Sequence, residues 1–127
     1  MSWRGYVVTA FLLLLAPFCD SAQAIDYQIG QSLVCDTQQQ VERFVALFTG
    51  DAQAAIRFVN AEEKNPAACA IMNVAFLRGT QVGTARHGAS AFGIIRILVV
   101  GIDNGNGVRP VRPAAHFSIF LVKEYAV

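Results

Sequence analysis

Residues 91–102 read AFGIIRILVVGI, a run whose only charged member is Arg96. It is rich in β-branched side chains, which suit a pleated, extended backbone. Phe92, Ile94, Leu98, Val100 and Ile102 alternate with Ile95, Ile97 and Val99, so both faces of the extended chain are apolar. Such a strand is central and covered on both sides, and the rest of the chain has to provide the cover. Gly93 and Gly101 weaken its ends and mark bends or close backbone approach. Arg96 stands out within this run. A cation there is expected to find a buried partner, Asp51 or Glu42, or else to look into a pocket.

The cover comes from helical periodicity upstream. In CDTQQQVERFVALFTG, Thr37 and Gln40 have the spacing of a capping box, and Val41, Phe44, Val45 and Phe48 share one helix face. A helix is expected over residues 37–49, ended by Gly50 in a left-handed conformation. Asp51 can cap a second helix with Ala55, Ile56 and Val59 on one side, and Asn65-Pro66 breaks it. Beyond Pro66 the period becomes two: Ala70, Met72, Val74 and Phe76 alternate with Cys69, Ile71, Ala75 and Leu77. Gly79, Gly83 and Gly88 then read as a loop or a short strand. DNGNG, residues 103–107, reads as a turn, and RPVRP after it as an edge or rim segment.

The last strand is expected over residues 115–124, with Phe117, Ile119 and Leu121 facing the core and His116, Ser118 and Glu124 facing away. The lead-in at 26–34 adds a strand or stays coil. The pattern predicts an α+β domain, with one or two N-terminal helices packed on a three- to four-stranded antiparallel sheet. An SH3-like or partly closed small β-barrel with an added helix is the alternative.

The N-terminus decides how much chain folds. Arg4 precedes an apolar run from Tyr6 to Phe18, 13 residues long, against the ~20 needed to span a bilayer as a helix. Ala22-Gln23-Ala24 then matches the small-residue pattern of a signal-peptidase site. Cleavage is expected after Ala24, leaving a single domain over residues 25–127, periplasmic or secreted and without a stable membrane anchor. Phe18 is too bulky to precede a lipidated Cys19. The mature chain keeps Cys35 and Cys69, which an oxidising compartment would join as one disulfide.

Chemistry-bearing motifs are sparse. With no C-x-x-C and with only His87 and His116 as imidazoles, no metal site and no cofactor are expected. DNGNG has glycines where a calcium loop needs oxygen ligands. His87 and Ser90 are close in sequence, and His116 and Ser118 share a strand face, but no G-x-S-x-G elbow is present.

Charge is divided along the chain. Residues 25–63 carry six carboxylates against two arginines, and residues 64–127 seven cations against two carboxylates. Arg109 and Arg112, stiffened by Pro110 and Pro113, form with Arg78, Arg86 and Lys123 a candidate cationic rim for an acidic envelope component or protein partner. No nucleic-acid partner is expected. The expected function is a small exported, non-enzymatic binding, accessory or envelope-associated module. The alternatives are a small hydrolase using His87 or His116, and a structural, oligomer-forming envelope protein.

N-terminal sequencing of exported material is expected to start at Ile25. Full-length chain recovered in membranes, or a lipid mass on Cys19, would show that the segment is not cut there.

Overall fold

The computed structural model describes residues 27–124, so the expected cleaved segment at 1–24 lies outside the described residues. Six elements follow one another: β1 (Gln28–Cys35), α1 (Gln38–Leu47), α2 (Ala52–Glu63), β2 (Cys69–His87), β3 (Ser90–Asp103) and β4 (Val108–Glu124). The α+β class, the antiparallel four-stranded sheet and the Cys35–Cys69 disulfide are as expected. The helices, however, follow a first strand. The lead-in is β1, whose polar Gln28, Gln31 and Ser32 hide its strand character and whose last three residues alone are buried.

Both helix starts are set by side-chain caps. The Thr37 hydroxyl accepts from Gln40 N–H at 3.2 Å, and Gln40 Oε1 accepts from the N–H groups of Thr37 and Asp36 at 3.0 and 2.9 Å. Gln40 is buried, yet its oxygen is satisfied, so it carries no desolvation penalty there. Asp51 Oδ1 accepts from Ala54 N–H at the start of α2. α1 ends at Leu47 with Phe48 as an extended cap; Gly50 takes its positive φ of 104° in the linker to α2 rather than as the terminator. α2 ends on Lys64 in the left-handed region, just before Asn65-Pro66.

The strands are longer than the alternation suggests. β2 runs unbroken through Gly79 and Gly83, with register shifts on either side of Gln81, so of the expected loop or short strand it is a strand, longer than expected and bent. A Cβ on Gly79 would lie 2.6 Å from the Arg96 carbonyl oxygen, and one on Gly83 would lie 2.8 Å from Gln38 Nε2. These glycines permit close approach where the strand bends. β4 likewise begins at Val108, so RPVRP is part of the ladder, with Arg109 opposite Ile102 and Pro110 opposite Gly101. The turn at 104–107 is as expected, closed by Asp103 and Asn104 side chains accepting from Gly105 and Asn106 N–H at 3.0 Å each.

The strands pair in chain order, and β4 returns to β1 through one rung, Cys35 opposite Phe117, which closes a barrel. Apolar clusters lie on both faces of this sheet. Val41, Phe44, Val45, Ala55, Ile56 and Val59 of the helices cover Cys35, Cys69 and Ile94. On the opposite face Val34, Val74, Phe76, Ile95, Ile97 and Val99 pack together, with Phe120 against them. The two-faced character of residues 91–102 is thereby accounted for. Ser118 is buried despite its expected outward face, and Leu121 is about half exposed, at 53 %. A register irregularity between Ala91 and Phe92 shifts β4 there by one residue.

The disulfide joins directly opposed residues of β1 and β2, closes a loop of sequence separation 34 and lies in the buried core. Replacing both cysteines by alanine should lower the urea midpoint, corresponding to a loss of about 3–4 kcal/mol in the chain-entropy description. A midpoint unchanged within error would show that the loop is held by other contacts alone.

Candidate functional site

Closure by one rung has a structural consequence. Below Cys35 and Phe117 no further β1–β4 pairs form, and the two strands part. Into this gap opens a pocket of about 280 Å³ between the helices and the sheet. Leu33, Phe44, Phe48, Ile71, Phe92 and Ile119 provide most of its wall, with Gln31 and Ser32 at the β1 edge and Ala52 from the first turn of α2. The capping box fixes the start of α1, and the i, i+4 pair Phe44 and Phe48 follows on its inner face, rings stacked with centroids 5.8 Å apart. Ala52 is small where a larger residue would fill the space.

A second pocket, of about 260 Å³, adjoins the first and shares Phe48 and Phe92 with it. Its other lining residues are Thr49 and Gly50 of the α1–α2 linker and His87 and Ser90 of the β2–β3 hairpin. That hairpin turns through Gly88-Ala89, with Gly88 at φ 60°, and sets His87 directly opposite Ser90. The two residues close in sequence are thus placed together, beside an apolar cavity. No ion pair to His87 occurs among the described residues.

His116 lies on the other face. Its Nδ1 is 3.5 Å from Asp36 Oδ1 and buried without a hydrogen-bond partner. The two line a separate cavity of about 250 Å³ with Arg112 at its rim. That cavity's lining offers no Ser, Thr, Cys or Lys, and Ser118 is not part of it.

The cations of the expected rim do not form one patch. Arg109 and Arg112 lie near the β3–β4 turn, whereas Arg86 and Lys123 both stand opposite Ala91 at the far end of the ribbon. The intervening length of β3 is roughly 36 Å at ~3.3 Å per residue. Arg78 sits between, its guanidinium 4.5 Å from the centre of the Phe120 ring. Phe120 in turn covers Gly93, where a Cβ would meet the ring at 2.3 Å.

Arg96 is exposed and makes no ion pair among the described residues; neither Asp51 nor Glu42 reaches it. It borders a shallow pocket with Leu77, Leu98 and Ala115. Glu62 pairs with Arg43. Its carboxylate accepts from Arg43 Nη2 and Nε at 2.8 and 2.9 Å, joining α2 to α1. The hydrogen bonds from Arg43 hold the Glu62 carboxyl below its ordinary range. Among the described residues no group of three or more His, Cys, Asp and Glu is placed to hold a metal ion, and no helix is long and apolar enough to cross a membrane.

Comparison with protein-family models, with curated proteins and with solved structures finds no match. Geometry is therefore the guide to function. Sequence reasoning found the walls of the pocket as apolar faces but not the space between them.

Arg96→Ala is expected to change stability by no more than about 0.5 kcal/mol, as for a surface substitution. A loss of the ~3–5 kcal/mol typical of breaking a buried pair, read from urea unfolding, would restore the internal salt bridge.

Proposed function

We propose that this chain is a small exported, non-enzymatic binding module, periplasmic or secreted, that holds an apolar ligand between its helices and its sheet. The observation that carries this reading is the apolar pocket beneath α1. Protein interiors are close-packed, and unfilled space costs ~24 cal/mol per Å³ when a structure cannot collapse onto it. Were the 280 Å³ closed and empty, the cost would be about 7 kcal/mol. That is comparable to the whole net stability of a small domain, ~5–15 kcal/mol. A fold that keeps such a space keeps it open to solvent or filled, and an apolar wall favours filling by an apolar group.

Two further features support the reading. A buried disulfide persists in oxidising compartments, in keeping with export. Among the described residues His87 stands opposite Ser90 and makes no ion pair, and the cavity shared by His116 and Asp36 is lined by no Ser, Thr or Cys.

The test is titration of the mature protein with N-phenyl-1-naphthylamine, a neutral apolar fluorophore that brightens on leaving water. Wild type should bind it at one site per chain. Ala52→Phe, which fills the pocket from the first turn of α2, should weaken binding at least tenfold while keeping the wild-type circular dichroism and urea midpoint. Absence of binding to wild type, or equal affinity in the folded variant, would reject the pocket as a ligand site.

A further inference from the structure

The apolar pocket has a polar neighbour. Beside it, sharing Phe48 and Phe92 in its lining, lies the second pocket, to which Thr49, Ser90 and His87 contribute. These three polar groups come from two segments far apart in sequence, the α1–α2 linker and the β2–β3 hairpin. The two phenylalanines form the boundary between an apolar chamber and a hydrogen-bonding one. A purely apolar ligand would leave the second chamber to water, and a purely polar one would leave the first unfilled. A molecule with one apolar tail and one polar head matches both.

We propose that the paired pockets bind a single-chain amphiphile, its tail beneath α1 and an oxygen-bearing head, hydroxyl or carboxyl, hydrogen-bonded among Thr49, His87 and Ser90. The proposal rests on the apolar-ligand reading above and adds the ligand's length and head. At the ~30 Å³ that a water-sized group takes in a liquid, the first chamber holds roughly nine carbon atoms. Thr49 and Ser90 each both donate and accept through their hydroxyls, and the His87 ring nitrogens add hydrogen-bonding capacity. Such a lining suits an oxygen-bearing head. Ser90 also stands opposite Glu124 in the β3–β4 ladder, which places acidic sequence at the same end as Arg86 and Lys123. An alcohol and an acid are the two sources of such a head, and the experiment separates them.

An extended peptide laid along the unpaired edge of β1 is the competing occupant. It would use the backbone of residues 28–34 and drop one side chain into the first chamber, leaving the second chamber unused. The adjacency of the apolar and polar chambers, which share Phe48 and Phe92, favours the amphiphile.

The experiment is displacement of N-phenyl-1-naphthylamine by straight-chain alcohols and carboxylates of six to fourteen carbons, on wild type and on His87→Ala/Ser90→Ala. Affinity should rise about fourfold per methylene, as expected from burial of each CH₂, and level off near nine or ten carbons. The double variant should bind decanol or decanoate at least tenfold more weakly, with the fluorophore's own affinity unchanged. Whichever of the two the wild type prefers identifies the head. A fluorophore that never binds rejects the apolar pocket itself. A fluorophore that binds while amphiphile affinity ignores the double variant, or climbs without levelling, overturns this proposal alone. So does displacement by an extended apolar hexapeptide in preference to every amphiphile.

Discussion

One rung of the sheet holds this fold together. Cys69 stands opposite Cys35, Cys35 opposite Phe117, and Phe117 opposite Arg96, so all four strands meet at a single level. The disulfide makes the first of these pairings covalent. Asn60 of α2 adds a non-covalent clasp: its amide accepts from Cys69 N–H at 2.8 Å and donates to Cys69 C=O at 3.1 Å, as a strand partner would. Asp36 N–H donates to Ala68 C=O at 3.0 Å one step further out. The helical hairpin between the two cysteines is therefore closed at its base by three kinds of bond. Loop-closure entropy, the main cost of making long-range contacts, is reduced once the disulfide has formed.

The same rung explains why there is space to fill. Closing a barrel requires each strand to keep pairing as the sheet twists. Here β1 is short, eight residues against nineteen in β2, and β4 meets it at one position only. Past that position the twist carries the two edges apart. Helices set by a capping box at Thr37 and an aspartate cap at Asp51 bridge the opening without sealing it. Unpaired edges are a liability, since they invite association. The helical layer and the bent, glycine-marked course of β2 limit how flat an edge remains. The cavity is thus a product of topology, not of a missing side chain, although Ala52 keeps it from being filled.

Local features of the sequence were legible and non-local ones were not. Thr37 and Gln40 announce a capping box because both partners lie within one turn. Asn104 to Gly107 announce a turn because the dihedral angles are local. Residues 91–102 announce a strand with two covered faces because eight apolar side chains alternate, interrupted only by Arg96 and two glycines. Gly79 and Gly83, by contrast, look like punctuation in the sequence, and only the approach of the Arg96 carbonyl and the Gln38 amide shows why a strand needs glycine there. Arg96 looked buried because its neighbours are. The side chain nevertheless reaches solvent. The pocket is the extreme case. Phe44, Phe48, Phe92 and Ile119 are each readable as core, but whether four core faces meet or stop short depends on strand lengths and twist that no local pattern records.

Electrostatics arranges the remaining surface in a way that bears on how a ligand would lie. The sequence divides into an acidic first half and a basic second half, and the simplest expectation is that they neutralise one another across the interface between helices and sheet. The observed pairing is different. Glu62 is satisfied within the helical layer by Arg43, and Arg78 leans on the ring of Phe120 rather than on a carboxylate. The helices and the sheet thus meet through apolar side chains, as the first core cluster shows, and charge stays at the periphery. An apolar interface between the two layers is what an apolar tail can enter without displacing an ion pair, since separating such a pair would add a desolvation penalty to the ordering cost of binding. The hydrogen-bonding groups sit where that interface ends, at the hairpin bearing His87 and Ser90, and the polarity of the site follows the order of the layers themselves.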